Sequence, residues 1–308
     1  MSDLHDAGSF ADAVAASRFV PPLDVEPDVA ASRRTLGWAF WLCVGWLVLI
    51  VIAALFAPYL GLKDPTENYV EPSLGAPPYS PGSEFWFGSD QDARDVFSRT
   101  IHGARVSLVV GFAAMAYGMV IGGALGTLAG YLRGRLDQVV SFCFVVLLSF
   151  PALVLAILIT SLLDRTLFVV ASTLGFLAIA PVGRLARATT IQFSEREFVV
   201  AARTLGAKHP RIIIRELLPN VVIPMGALAL LGVAVAIVAE GALAFLGLSV
   251  EKDITWGKLV LLGSGARDLE EAPWISMGPI FVLFLTVLAL NFAGDKLREY
   301  FDVREISL

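Results

Sequence analysis

Six stretches without a charged residue dominate the chain: 36–62, 106–132, 138–163, 166–183, 217–239 and 272–294. An α-helix needs about 20 apolar residues to cross about 30 Å of hydrocarbon. Five of the stretches are long enough outright. The fourth, 166–183, has 18 residues. Leu185 and Ala186 extend it, together with Arg184, whose aliphatic stem can lie along the apolar face while its head reaches the interface. The pattern predicts an all-α integral membrane chain with six transmembrane helices. A soluble protein would need a very large core to bury six such helices.

Composition points the same way. Hydrophobic residues make up 56% of the 308 and charged residues 17%, against about 25% charged in ordinary soluble domains. A cleaved signal peptide is not expected, because the first apolar run starts at Leu36, is too long and has no small-residue cleavage site after it. Cys43 and Cys143 both fall inside apolar runs and read as small buried hydrophobes, not as a disulfide or metal pair.

With the N-terminus cytoplasmic and six crossings, fifteen of the 23 basic residues fall inside and eight outside. That excess obeys the positive-inside rule, so both termini are expected in the cytoplasm. The chain then divides into a flexible cytoplasmic tail (1–35, with a short helix near 10–19), a first transmembrane helix (36–60) and an external segment (61–103). A five-helix core (104–295) carries a large cytoplasmic loop at 187–219, and a cytoplasmic tail follows (296–308). In the external segment Tyr69, Tyr79, Phe85, Trp86 and Phe87 are expected to anchor at the membrane interface. Gly118, Gly122, Gly126 and Gly130 fall four apart and line one face of the second helix, where small residues let another helix approach closely. The spacing leaves open whether that neighbour belongs to this chain or to a partner.

Catalytic patterns are absent from the sequence. It contains no G-x-x-x-x-G-K-[ST] phosphate loop and no H-E-x-x-H zinc helix, and its three histidines, His5, His102 and His209, lie far apart. Nothing points to a nucleic-acid partner. Glu240 is the clear acid within a span. Placed about 30 Å along a helix entered near Asn220, it reads as a hydrogen-bonding residue at the outer helix end, with a gate as the functional alternative.

The loop 187–219 holds the strongest signal. Ser194 and Glu197 have the spacing of a capping box, and Gly206 that of a helix stop. Phe198, Ala201, Ala202 and Leu205 fall at i, i+3, i+4 and i+7 and form one apolar stripe. Pro210 restarts a helix, which Pro219 is expected to break before span five. A short helix of this kind can lie on the bilayer or dock into a groove of another protein. The paired alanines favour docking.

The run Phe198, Val199, Val200, Ala201, Ala202, Arg203, Thr204, Leu205, Gly206, followed by Ile213, Leu218, Pro219 and Asn220, resembles the E-A-A loop of ATP-binding-cassette importer permeases. The glutamate of that pattern is Val200 here. Residues 88–99 resemble G-T-D-x-x-G-R-D-x-F-S-R of the peptide/nickel branch, with Ala93 in place of a glycine, and 103–108 continue the match. Residues 240–248 with Trp256 and Gly257 resemble E-x-x-L-S-F-L-G-L and W-G, and 291–295 resemble N-x-x-G-D. Over about 35–305 the chain is similar to the second permease subunit of dipeptide and oligopeptide importers.

The resemblance implies a type I importer permease (MetI-like) fold in a prokaryotic plasma (inner) membrane. It also implies a homologous B-type permease partner, two ABC ATPase subunits and an external substrate-binding protein. ATP and Mg would be bound by the ATPase subunits and no cofactor by this chain. The coupling surface would comprise Phe198, Val199, Val200, Ala201, Ala202, Arg203, Leu205 and Gly206, so Gly206→Pro or a bulky charge at Ala201 is expected to uncouple hydrolysis from transport. Nickel or haem as cargo, or a non-transport membrane scaffold, stand as alternatives.

Overall fold

The computed structural model describes residues 36–306, with side chains through Phe301. The tail 1–35 and the short helix expected near 10–19 lie outside the described residues.

Among the described residues, five helices are long and apolar enough to cross a membrane. They are α1 (Gly37–Phe56), α2 (Val96–Leu132), α5 (Leu167–Ser194), α7 (His209–Phe245) and α10 (Trp274–Ile306). The sixth expected span is broken. Residues 138–163 contain α3 (Gly134–Ser149) and α4 (Ala152–Leu162), which meet at an 85° bend. Pro151 explains the break. It has no N–H to donate, and it holds the preceding Phe150 extended (φ −87°, ψ 136°). The pair forms either one broken span or a re-entrant loop.

Helix α2 has 37 residues and is about 55 Å long at 1.5 Å per residue. It starts at Val96, inside the segment 61–103 assigned to the exterior, because the Asp95 side chain accepts from the amides of Phe97 and Ser98 and caps it there. Helix α5 runs to Ser194, well past the apolar stretch that announced it. Helix α10 continues through 296–306, where a tail was expected.

Pro219 does not break span five. His209–Phe245 is one continuous run, widened between Ile212 and Leu217 into a π turn. A proline ring clashes with the carbonyl four residues back and offers that carbonyl no donor. A π turn just ahead of Pro219 relieves both demands without ending the helix.

In lipid, apolar burial does not drive helices together, so association rests on close packing and on hydrogen bonds between helices. Both are visible here. Trp46 Nε1 of α1 donates to Thr286 Oγ1 of α10 at 3.2 Å. Two short helices unforeseen in the sequence, α8 (Trp256–Leu262) and α9 (Ala266–Glu271), follow α7. Trp256 of α8 is fully buried, and its indole donates to the Thr100 carbonyl of α2 at 2.9 Å.

The segment between α1 and α2 is an ordered cap with its own small core. Tyr79 and Phe85 are buried in it with Ala93, and Tyr69 packs against them. These aromatics therefore hold the cap together. Phe87 stacks edge-on against Phe97. Of the five aromatics named above, Trp86 is the one that is exposed. Cys143 also departs from expectation, lying exposed on α3, while Cys43 is half-buried.

A helical elbow as the candidate functional site

The loop 187–219 folds into α6 (Glu197–Thr204), a four-residue link, and the start of α7. The capping box expected at Ser194 does not form. Ser194 is the last residue of α5 and donates to the Ile191 carbonyl, while Arg196, with extended backbone, occupies the N-cap of α6. The C-terminal stop does form. Gly206 has φ +81°, its amide donates to the Arg203 carbonyl at 3.0 Å, and the Ala207 amide donates to the Ala202 carbonyl at 3.1 Å. These two bonds make a Schellman motif, in which glycine takes the left-handed position without a Cβ penalty. Lys208, with extended backbone, then occupies the N-cap position of α7 without a side-chain capping bond.

The faces of α6 divide differently from the expected stripe. Val199 is fully buried and Ala202 half-buried, in one apolar cluster with Phe193, Ile212 and Leu217. Phe198, Ala201 and Leu205 face outward, with Leu205 88% exposed. Val199 and Ala202 therefore seat the helix and do not belong to its free surface. Ala201 and Leu205, with Val200, Thr204, Glu195 and Glu197, line an open hollow. Both faces of this eight-residue helix are apolar, so periodicity alone could not say which one turns inward.

Three elements converge behind the elbow. Tyr131, at the end of α2, is buried, and its hydroxyl lies 3.0 Å from Nδ1 of His209, the first residue of α7. Their rings meet edge to face with centroids 5.6 Å apart. From α6 the Arg203 guanidinium sits 5.8 Å from the Tyr131 ring centroid, within cation–π range. Nearby, Arg133 Nη2 donates to Glu195 at 2.6 Å, and Arg187 of α5 grips Asp137 of α3 with two donors. Neither Tyr131 nor His209 was foreseen, since a lone tyrosine at a helix end and a lone histidine carry no spacing signal.

The glycine row faces this chain's own α5. A Cβ built at Gly122 would lie 2.4 Å from the Ile179 carbonyl oxygen, at Gly126 2.1 Å from that of Gly183, and at Gly130 2.7 Å from that of Arg187. At Gly118 it would lie 2.7 Å from the Ala178 Cβ. Gly130 is next to Tyr131, so the groove runs directly into the elbow.

Glu240 belongs to neither group. It lies 31 residues along α7 from His209, about 47 Å away at helical rise. It is fully buried and accepts from Ser249 Oγ, and the loop after α7 folds over it. Its second oxygen has no partner among the described residues. Among the described residues no group of His, Cys, Asp and Glu is arranged to hold a metal ion.

Residues 122–306 match the family described as binding-protein-dependent transport system inner membrane component. The dipeptide transport system permease protein DppC of Alkalihalophilus pseudofirmus is 36% identical, over 84% of this chain and 84% of that protein. The oligopeptide transport system permease protein OppC of Haemophilus influenzae is 33% identical, over 84% of this chain and 81% of that protein. A solved structure of the MetNI methionine ABC transporter, facing inward, superposes with a TM-score of 0.52 at 18% identity, over 66% of this chain and 96% of that one. This last likeness establishes a common fold. The chain, a multi-pass membrane protein, thus belongs to the family of binding-protein-dependent transport system inner membrane components, the permease subunits of ABC importers.

Proposed function

We propose that this chain forms half of the translocation path of an importer for dipeptides or oligopeptides and is driven from below through α6. The observation that carries the reading is the two-faced coupling helix. Val199 and Ala202 fasten it to the core, while Phe198, Ala201 and Leu205 stand free on the other side. A short helix pinned on one face and apolar on the other is suited to a groove in a partner. The partner supported by the family is an ABC ATPase, two copies of which would bind ATP and Mg and perform the hydrolysis. A homologous B-type permease would complete the path, and an external binding protein would deliver the cargo.

In this reading ATP closes the ATPase pair, α6 follows its groove, and the spans rock between outward and inward access. Both termini are cytoplasmic, as the excess of basic residues on that side supports. Val200 stands where the family pattern has glutamate. It is exposed on the hollow that Glu197, one turn earlier, also lines, so Glu197 can supply a carboxylate at that surface. Peptide cargo is supported by relatives named as dipeptide and oligopeptide permeases.

The test is to purify the assembled complex in nanodiscs with its binding protein and measure ATP hydrolysis with dipeptides, oligopeptides, nickel or haem. Stimulation by peptides is expected. Stimulation by nickel or haem alone would replace the cargo, and absence of any nucleotide-binding subunit would favour a scaffold.

A further inference from the structure

The elbow has a feature that docking does not require. Tyr131 touches the chain on both sides of the link between α6 and α7. Arg203 precedes the link, and His209 follows it. The link itself is short and fixed by the Schellman bonds at Gly206 and Ala207. A displacement of α6 therefore cannot be absorbed by slack chain. It must either turn the elbow around the Tyr131 ring or carry Tyr131 with it.

Tyr131 in turn has little freedom of its own. It is buried in the apolar cluster that contains Val199, Ile212 and Leu217. Its neighbour Gly130 lies in backbone contact with Arg187 of α5, at the end of a glycine row that locks α2 to α5. Close-packed contacts of this kind transmit a shift because they have no room to deform.

We propose that Tyr131 is a positioning residue that couples the α6–α7 elbow to the α2–α5 slab, so that a push on α6 moves both as one body. Two contacts carry the coupling: the hydroxyl on His209 fixes the start of α7, and the ring under Arg203 fixes the end of α6. This inference rests on α6 being the site where the ATPase acts.

The experiment compares wild type with Tyr131→Phe, Tyr131→Leu, His209→Gln and His209→Leu in the reconstituted complex, with its ATPase and binding protein. Assembly, ATP hydrolysis and peptide uptake are measured on the same vesicles. Tyr131→Phe keeps the ring and loses the hydroxyl, and His209→Gln keeps a polar partner for that hydroxyl. Uptake per ATP hydrolysed is expected to fall at least about five-fold in Tyr131→Leu, the lower range of typical coupling between sites. Tyr131→Phe and His209→Leu should fall less, and His209→Gln should recover toward wild type.

Unchanged uptake per ATP in all four variants overturns the proposal. So does loss of assembly in Tyr131→Leu together with wild-type efficiency in Tyr131→Phe and His209→Leu, because that pattern marks a purely structural side chain. Wild-type complexes lacking an ATPase subunit overturn the importer reading itself, and the coupling role with it. The two failures are thereby told apart.

Discussion

Gly126 of α2 and Gly183 of α5 meet backbone to backbone, so closely that a Cβ on Gly126 would lie 2.1 Å from the Gly183 carbonyl oxygen. No rotamer change relieves such a contact, because the obstacle is main chain. Gly126→Ala must push the two helices apart, and overpacking of this kind costs about 1–3 kcal/mol. Gly226 of α7 is the control, since a Cβ there meets nothing within 4 Å. Thermal unfolding of the purified protein should show a clear loss for Gly126→Ala and almost none for Gly226→Ala. Equal effects would mean that helix propensity, not the groove, governs the response.

The two faces of α6 make opposite predictions. Ala201→Arg and Leu205→Asp alter exposed positions and should leave stability within about 0.5 kcal/mol. They should nevertheless reduce recovery of the ATPase subunit with the complex. Val199→Asp places a charge at a fully buried position and should unseat α6 at a cost of several kcal/mol. Gly206→Ala, at φ +81°, should cost about 1–2 kcal/mol from left-handed strain alone. Pull-down of the ATPase alongside an unfolding curve separates these outcomes. Normal ATPase recovery with Leu205→Asp would remove this face from the docking surface.

Long apolar runs made the membrane class and most spans legible, because hydrocarbon thickness sets a length that few other structures need. The glycine row was legible too, since spacing by four defines a helix face whatever lies opposite. What lay opposite was not legible, and neither was the break at Pro151, because proline occurs both in bent and in broken membrane helices. The inward turn of Val199 was hidden by apolar residues on both sides of α6. Ala93 shows a further limit. It holds φ +59° in a buried turn of the cap between α1 and α2, a conformation glycine would adopt freely. The sequence recorded only that a glycine was missing there.

Glu240 sets the structural and gating readings against each other. One carboxylate oxygen accepts from Ser249 Oγ, which tethers the loop 246–255 over the end of α7. Glu240→Gln preserves an acceptor for that hydroxyl and should transport at the wild-type rate with little change in stability. Ser249→Ala leaves the buried acid without its donor and should cost about 1–3 kcal/mol. Uptake assays and unfolding curves on both variants decide the matter. Loss of uptake in Glu240→Gln without a stability change would make this residue part of the gate.

Asp90 organises the cap between α1 and α2 around a buried charge. Its side chain is almost wholly inaccessible and accepts from the amides of Asp92 and Arg94 at 3.0 and 2.9 Å. It also pairs with the Arg94 and Arg99 guanidinium groups. Arg99 is itself largely buried, and Asp90 is the anion its guanidinium pairs with. Asp90→Ala leaves that guanidinium without its partner and removes the side-chain acceptor of two backbone amides at once. Breaking a buried pair from one side costs about 3–5 kcal/mol, and Asp90→Ala should lie near the lower figure because Arg94 is partly solvated. Replacing Arg99 by Met in the same chain removes the stranded charge and should recover part of the loss. Thermal unfolding of the single and double variants measures that recovery. A double variant no more stable than Asp90→Ala would mean that the backbone turn at 90–94, and not the ion pair, holds the cap on α2.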